Sequence, residues 1–254
     1  MQRSFTYALL ITCFFLLSAC KNNYVRSSVE TQNRIVTDSF MPVDSQLVLS
    51  YLPYKKILEK DMLRVISISA EEMVKNKPES NLTNFLADLL LEEGERELKK
   101  IGKDFRPDIS YFNYGGIRTF LPKGEITVGK IFELMPFENE MVFLQISGDR
   151  VKDFLDQVAG NGGDSVGGVR FKISGGRAAN VLVGNKPLDL ESQYWLVTND
   201  YIAAGGDVGD ALAQRTNFIS SGRKIRDVII FNLENKYASG EVISAEKDGR
   251  IRHE

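Results

Sequence analysis

The chain has 254 residues, 43% of them hydrophobic and 26% charged, with a formal net charge of −2 and a pI of about 5.7. That length suits one large domain or two small ones. A chain that neutralised many nucleic-acid phosphates would be basic, so extended DNA or RNA is excluded as a partner.

In chain order, the first element reads as an export signal. "MQRSFTYALLITCFFLLSAC" has one early positive charge, Arg3, an apolar run from Tyr7 to Leu17, and small residues at its end. The run is too short for a membrane-spanning helix. Its ending, Leu17 to Cys20, resembles the bacterial lipoprotein signal, in which the cysteine becomes the first mature residue and is acylated; a plain signal peptide is the alternative. On the lipoprotein reading, residues 1–19 are the signal and lipid on Cys20 tethers the exported chain to a bacterial membrane face, periplasmic or cell-surface, without spanning it. Residues 20–44 are polar, lack periodicity and read as a flexible tether. Cys13 and Cys20 are the two cysteines. Cys13 would leave with the signal, so no disulfide is expected.

Residues 45–250 mix helix and strand periods. "LSYLPYKKILEK" reads as a short helix and "LRVISIS" as a strand. Ser80 can cap a helix in which Leu82, Phe85, Leu86, Leu89 and Leu90 share one face. "DISYFN" is a strand running into "NYGGIR". Thr127 can cap "VGKIFELM", which Pro136 ends. "MVFLQIS" is a strand, and Val151, Phe154, Leu155 and Val158 mark another amphipathic helix. After the glycine-rich "GNGGDSVGG" come strands at "VRFKIS", "NVLVG" and "YWLVTND", a helix near Arg223 to Asn235, and a last strand at "EVISAEK". The pattern predicts a single α/β domain around a mixed β-sheet flanked by helices.

Several chemistries are absent. His253 is the only histidine, so neither a His-rich two-metal site nor a Ser–His or Cys–His pair can be assembled. No "GxxxxGK[ST]" occurs, and "VGKIF" is a fragment of that pattern.

What remains lies in loops. In "NYGGIRTFLPKG", Gly115 and Gly116 expose backbone N–H groups beside Arg118, whose planar fork suits phosphate or carboxylate. A tight turn with Arg118 in a surface ion pair is the alternative. Phe137 follows Pro136 outside a helix. "TNDYIAAGGDVGD" sets Tyr201 before the glycine pair Gly205 and Gly206, with Asp207 after it. Two loop rings facing each other can clamp a nucleobase, at about 1–3 kcal/mol per stacked base. Taken singly, each ring is more often core packing than a ligand clamp.

The series "ESNLTNFLADLL", "NYGGIR", "LPKGEIT", "MPFEN" and "NDYIAAGGD" resembles, in order and spacing, the C-terminal domain of 5'-nucleotidases, over about residues 45–246. In that family this domain binds the nucleotide, and a separate N-terminal metallophosphoesterase domain holds two metal ions and hydrolyses the phosphate. The resemblance implies that Phe137 and Tyr201 sandwich the base and that Asn139 contacts its edge. It further implies that Asp207 holds ribose hydroxyls, that Arg118 is aimed at phosphate or ribose oxygens, and that Asn113 opens the glycine turn. No cofactor is implied in this chain. The two divalent metals are expected in a separate metallophosphoesterase partner.

Two departures stand out. Where the family carries an upstream arginine directed at phosphate, this chain reads "MVKNKPES", with Asn76 between Lys75 and Lys77. Val208 follows Asp207 where the family has glycine and an aromatic. The expected function is the nucleotide-binding half of a split nucleotidase. The alternatives are a lipid-anchored nucleoside or nucleotide receptor, and a structural domain that binds nothing.

Overall fold

The computed structural model describes residues 28, 31–33 and 44–254. The signal, Cys20 and nearly all of the tether lie outside the described residues. The chain divides into two units, Met1–Leu49 and Ser50–Glu254. Described residues 44–49 of the first contain the start of helix α1 (Ser45–Met62), no residue of which is buried. The second unit holds everything that follows.

Its elements are β1 (Val65–Ser69), α2 (Asn81–Lys100), β2 (Ile109–Phe112), β3 (Gly124–Thr127), α3 (Val128–Leu134), β4 (Glu140–Ser147), α4 (Gly148–Gly160) and β5 (Ser165–Gly167). Then come β6 (Val169–Ser174), β7 (Arg177–Val183), β8 (Lys186–Pro187), β9 (Gln193–Asn199), α5 (Asp200–Ala203), α6 (Gly209–Ala213), β10 (Asn217–Lys224), α7 (Ile225–Ala238) and β11 (Ile251–His253). α2 forms where its apolar stripe predicts. Ser80 accepts from the Thr83 N–H while the Thr83 hydroxyl accepts from the Ser80 N–H, a reciprocal cap worth about 1 kcal/mol. Thr127 caps α3 through the Lys130 N–H.

The five-stranded central sheet has the order β10-β4-β9-β2-β5. β2 and β9 run parallel and the other pairs antiparallel, so the sheet is mixed as expected. Strand alternation divides the core between its faces. Met141 and Phe143 of β4 join α2, α3 and α7 on one side. Val142, Leu144 and Ile146 face Phe154 and Leu155 of α4 and Phe171 and Val181 of a second sheet on the other. That second sheet, ordered β11-β6-β7-β8, is an addition to the expected architecture. A short β1–β3 pair completes the unit.

One expected strand is corrected. "EVISAEK" makes only an isolated bridge, between Ile243 and Ser69. Ile243 alone of its apolar pair reaches the core, while Val242 is half exposed. Among the described residues, Ile243 is the one residue of the segment bonded to the β1 edge, through Ile68 and Ala70. The last strand is β11, parallel to β6.

Topology puts three loops together. β4 is antiparallel to β9, with Met141 opposite Asn199, and β9 is parallel to its other neighbour, β2. The ends of β2 and β9 and the start of β4 therefore lie at one end of the sheet. Asn113 follows β2, Phe137 and Asn139 precede β4, and Tyr201 and Asp207 follow β9.

Candidate functional site

These loops enclose a cleft of about 340 Å³, lined by Asn113, Gly115, Gly116, Phe137, Asn139, Tyr201 and Asp207. Phe137 is 42% exposed and Tyr201 47%. Neither ring is core packing, and among the described residues neither stacks on another aromatic ring. The Asn139 side-chain amide has no hydrogen-bond partner among the described residues. Its backbone is fixed, because its carbonyl accepts from the Ile225 N–H at 2.9 Å.

A chain of hydrogen bonds organises the polar wall. Asn199 Nδ2 donates to Asn113 Oδ1 at 3.3 Å. Asn113 Nδ2 donates to Asp207 Oδ2 at 2.7 Å, and the Tyr201 hydroxyl donates to Asp207 Oδ1 at 3.3 Å. Each Asp207 oxygen thus has one protein donor and retains capacity for another. Asp207 has φ of 49°, a left-handed conformation that aspartate tolerates better than most residues. The neighbouring Val208 is buried in the core, so the valine departure anchors this loop from below.

Two glycines are required by close approach. A Cβ on Gly206 would stand 2.4 Å from the Tyr201 ring, and one on Gly116 would stand 2.8 Å from Asn113 Oδ1. Any larger residue would displace the ring or the amide.

Arg118 is placed differently from the other candidates. It is exposed, does not line the cleft, and donates through Nη1 to the Gly115 carbonyl at 3.2 Å. It forms no ion pair among the described residues, so the turn with a surface salt bridge is not what the structure contains. Lys75 and Lys77 gather at the same turn. Lys75 Nζ donates to the carbonyls of Tyr114 (3.1 Å) and Ile117 (2.5 Å) and lies 4.3 Å from the Tyr114 ring centroid. Its pKa is lowered, first by burial and then by the Arg118 charge. Lys77 lies 5.1 Å from the same ring and donates to the Asn161 carbonyl at 2.6 Å. Asn76 accepts from the Lys77 N–H.

Beneath the turn sits Asp164, from the glycine-rich loop. It is 6% exposed, accepts from the Tyr111 hydroxyl at 3.1 Å and from the Ser165 N–H at 2.8 Å. Burial pushes its carboxyl up to about 6 against these hydrogen bonds and the Lys77 charge. Burial, followed by the Asp164 charge, raises the Tyr111 phenol. Among the described residues, no group of three or more His, Cys, Asp or Glu side chains is arranged to hold a metal ion.

Sequence reasoning missed Asn199, Asp164 and Arg226. Asn199 had a local signal, an asparagine directly before a helical turn; it caps α5 through the Ile202 N–H at 2.8 Å.

The family model for the 5'-nucleotidase C-terminal domain matches residues 62–214, more than half of the chain. The chain belongs to the 5'-nucleotidase C-terminal domain family. This 5'-nucleotidase domain is 30% identical over 151 residues to a 5'-nucleotidase of Vibrio parahaemolyticus, covering 54% of this chain and 27% of that protein. It is 29% identical over 197 residues to the trifunctional nucleotide phosphoesterase protein YfkN of Bacillus subtilis, covering 71% of this chain and 13% of the relative. Among solved structures, the 5'-nucleotidase precursor of Thermus thermophilus superposes with a TM-score of 0.67 at 29% identity, over 84% of this chain and 44% of that one. The chain thus spans about a quarter of the Vibrio relative's length.

Proposed function

We propose that this chain is the nucleotide-binding half of a 5'-nucleotidase-type system, acting in nucleotide catabolism. Phe137 and Tyr201 clamp the base, Asn139 offers its free amide to the base edge, and Asp207, oriented by Asn113, accepts from ribose hydroxyls. Arg118, just outside the cleft, meets the phosphate end, where the exposed Gly115 N–H assists; the Gly116 N–H, expected to be open, is instead buried and donates to the Asn113 carbonyl at 2.9 Å. The observation that carries this reading is the cleft between two half-exposed rings, with an oriented carboxylate in its wall. A flat heterocycle bearing a hydroxylated sugar fits that combination.

The donor set among the described residues does not fit a pair of divalent metals, so no hydrolytic step is assigned to it. In this reading a separate metallophosphoesterase chain supplies both metals and the hydrolysis. Lipid on Cys20 holds the exported protein at a bacterial membrane; no described helix is long and apolar enough to cross one.

A second reading, capture of a nucleoside without hydrolysis, is favoured by one observation. Lys75 and Lys77, which flank the place of the family's upstream arginine, are both committed to backbone carbonyls. Calorimetric titration of the chain with adenosine, AMP, other nucleosides and inorganic phosphate tests both readings. Tighter binding of AMP than adenosine supports the first and equal binding the second. Binding of neither contradicts a nucleotide site.

A further inference from the structure

The loop Pro136–Asn139 carries two of the proposed base contacts, yet Phe137 is 42% exposed and the Asn139 amide has no hydrogen-bond partner among the described residues. What holds this loop is the start of α7, nearly ninety residues away in sequence. The Ile225 N–H donates to the Asn139 carbonyl at 2.9 Å. Arg226 Nη1 donates to the Pro136 carbonyl at 3.4 Å, and Arg226 Nη2 and Lys224 Nζ both grip the Glu138 carboxylate. The loop is thereby held on both sides of Phe137.

Arg226 is an expensive residue in this place. It is 6% exposed and its Nε is buried with no acceptor. It also sits in the first turn of a helix, where the peptide dipoles disfavour a cation. An apolar side chain of similar volume would fill the same space over the Phe132 ring, whose centroid lies 4.0 Å from the guanidinium carbon, without burying an unsatisfied donor. Packing alone therefore does not explain an arginine here. Its two polar contacts, to Pro136 and Glu138, bracket Phe137.

We propose that Arg226 is a positioning residue that fixes the Phe137 ring against the incoming base. This rests on the nucleotide-binding reading above. Arg226 has no direct contact with the cleft and acts through the loop. The paired cations also hold the Glu138 carboxyl well below the usual carboxylate range, Lys224 contributing most and Arg226 next.

The test uses the full chain as wild type, Arg226→Met, Phe137→Ala and the double variant. Adenosine titrations are combined with amide hydrogen exchange over residues 136–140. Arg226→Met is expected to weaken adenosine binding about fivefold or more and to speed exchange in that segment without changing α2. It should add nothing once Phe137 is already alanine. Additive losses, or wild-type affinity and exchange in a folded Arg226→Met protein, overturn the proposal. Should Arg226→Met fail to fold, Glu138→Gln replaces it, since that exposed carboxylate can be neutralised without disturbing the core; the same pattern at smaller amplitude is expected, and unchanged affinity and exchange overturn the proposal. If wild type binds no adenosine, the nucleotide reading falls. Faster exchange in Arg226→Met would then still show that Arg226 holds the loop, and unchanged exchange would reject that as well.

Discussion

Asn113 Nδ2 reaches Asp207 Oδ2 at 2.7 Å, joining residues 94 positions apart and tying the glycine turn after β2 to the glycine loop after β9. The bond holds an exposed carboxylate at one orientation. Removing it by Asn113→Ala should release Asp207, at a cost to ribose binding of about 1.5–3 kcal/mol, the net worth of a hydrogen bond to a charged group. Calorimetry should show weaker binding of adenosine and unchanged binding of free adenine, which has no ribose. Equal losses for both would remove Asp207 from the sugar end.

Gly206→Ala places a methyl group where the Tyr201 ring now stands. The ring is half exposed and can swing away, so the melting temperature should hardly move. The clamp should lose about 1–3 kcal/mol of stacking, read as a rise in the Kd for adenosine. Unchanged affinity would mean that Tyr201 is not one of the clamping rings.

Asp164 makes stability depend on pH. Its carboxyl titrates near 6 in the folded chain against an ordinary value of 3.8, so the folded state holds this proton more tightly than the unfolded chain does. The resulting stabilisation is complete below about pH 4 and is lost as pH rises through 6, amounting to about 3 kcal/mol in all. Tyr111, Lys77 and Lys75 are the titratable groups that face it. Denaturant unfolding at pH 4.5 and pH 7 should show this decline in wild type and a flatter profile in Asp164→Asn. The asparagine can still pair with the Ser165 N–H and the Tyr111 hydroxyl. Parallel profiles would show that Asp164 is not the source.

The purified chain, given AMP with Mn²⁺, Zn²⁺ or Co²⁺, should release no phosphate, because its described residues bring no metal-binding cluster together. Sustained metal-dependent release by a homogeneous sample would contradict the division of labour proposed here. At the other end of the chain, Cys20→Ser should move the protein from membrane to soluble fractions. Retention at the membrane would rule out the lipid anchor.

The elements legible in the sequence were those whose side chains carry the signal locally. The α2 stripe from Leu82 to Leu90 and the alternation in β4 are of this kind. β10, "NFISSGRK", escaped because its serines and glycine carry little apolar alternation, and it is a strand only through its bonds to β4. "EVISAEK" failed in the opposite sense, having alternation but no neighbour to pair with beyond Ser69. In the cleft, Phe137 and Tyr201 taken singly read more readily as packing. What made them legible was the series of five motifs in order and spacing, and their 42% and 47% exposure separates them from the core. The Asn199–Asn113–Asp207 chain and the Arg226 brace depend on strand order and on contacts 86 to 94 residues apart, which no local window contains.

The most direct test of the account is calorimetric titration of adenosine into wild type and Phe137→Ala under identical conditions. Loss of the ring should weaken binding by at least about 1 kcal/mol, a fivefold change in Kd, with an unchanged melting temperature. Indistinguishable isotherms for the two proteins would contradict a base held between Phe137 and Tyr201.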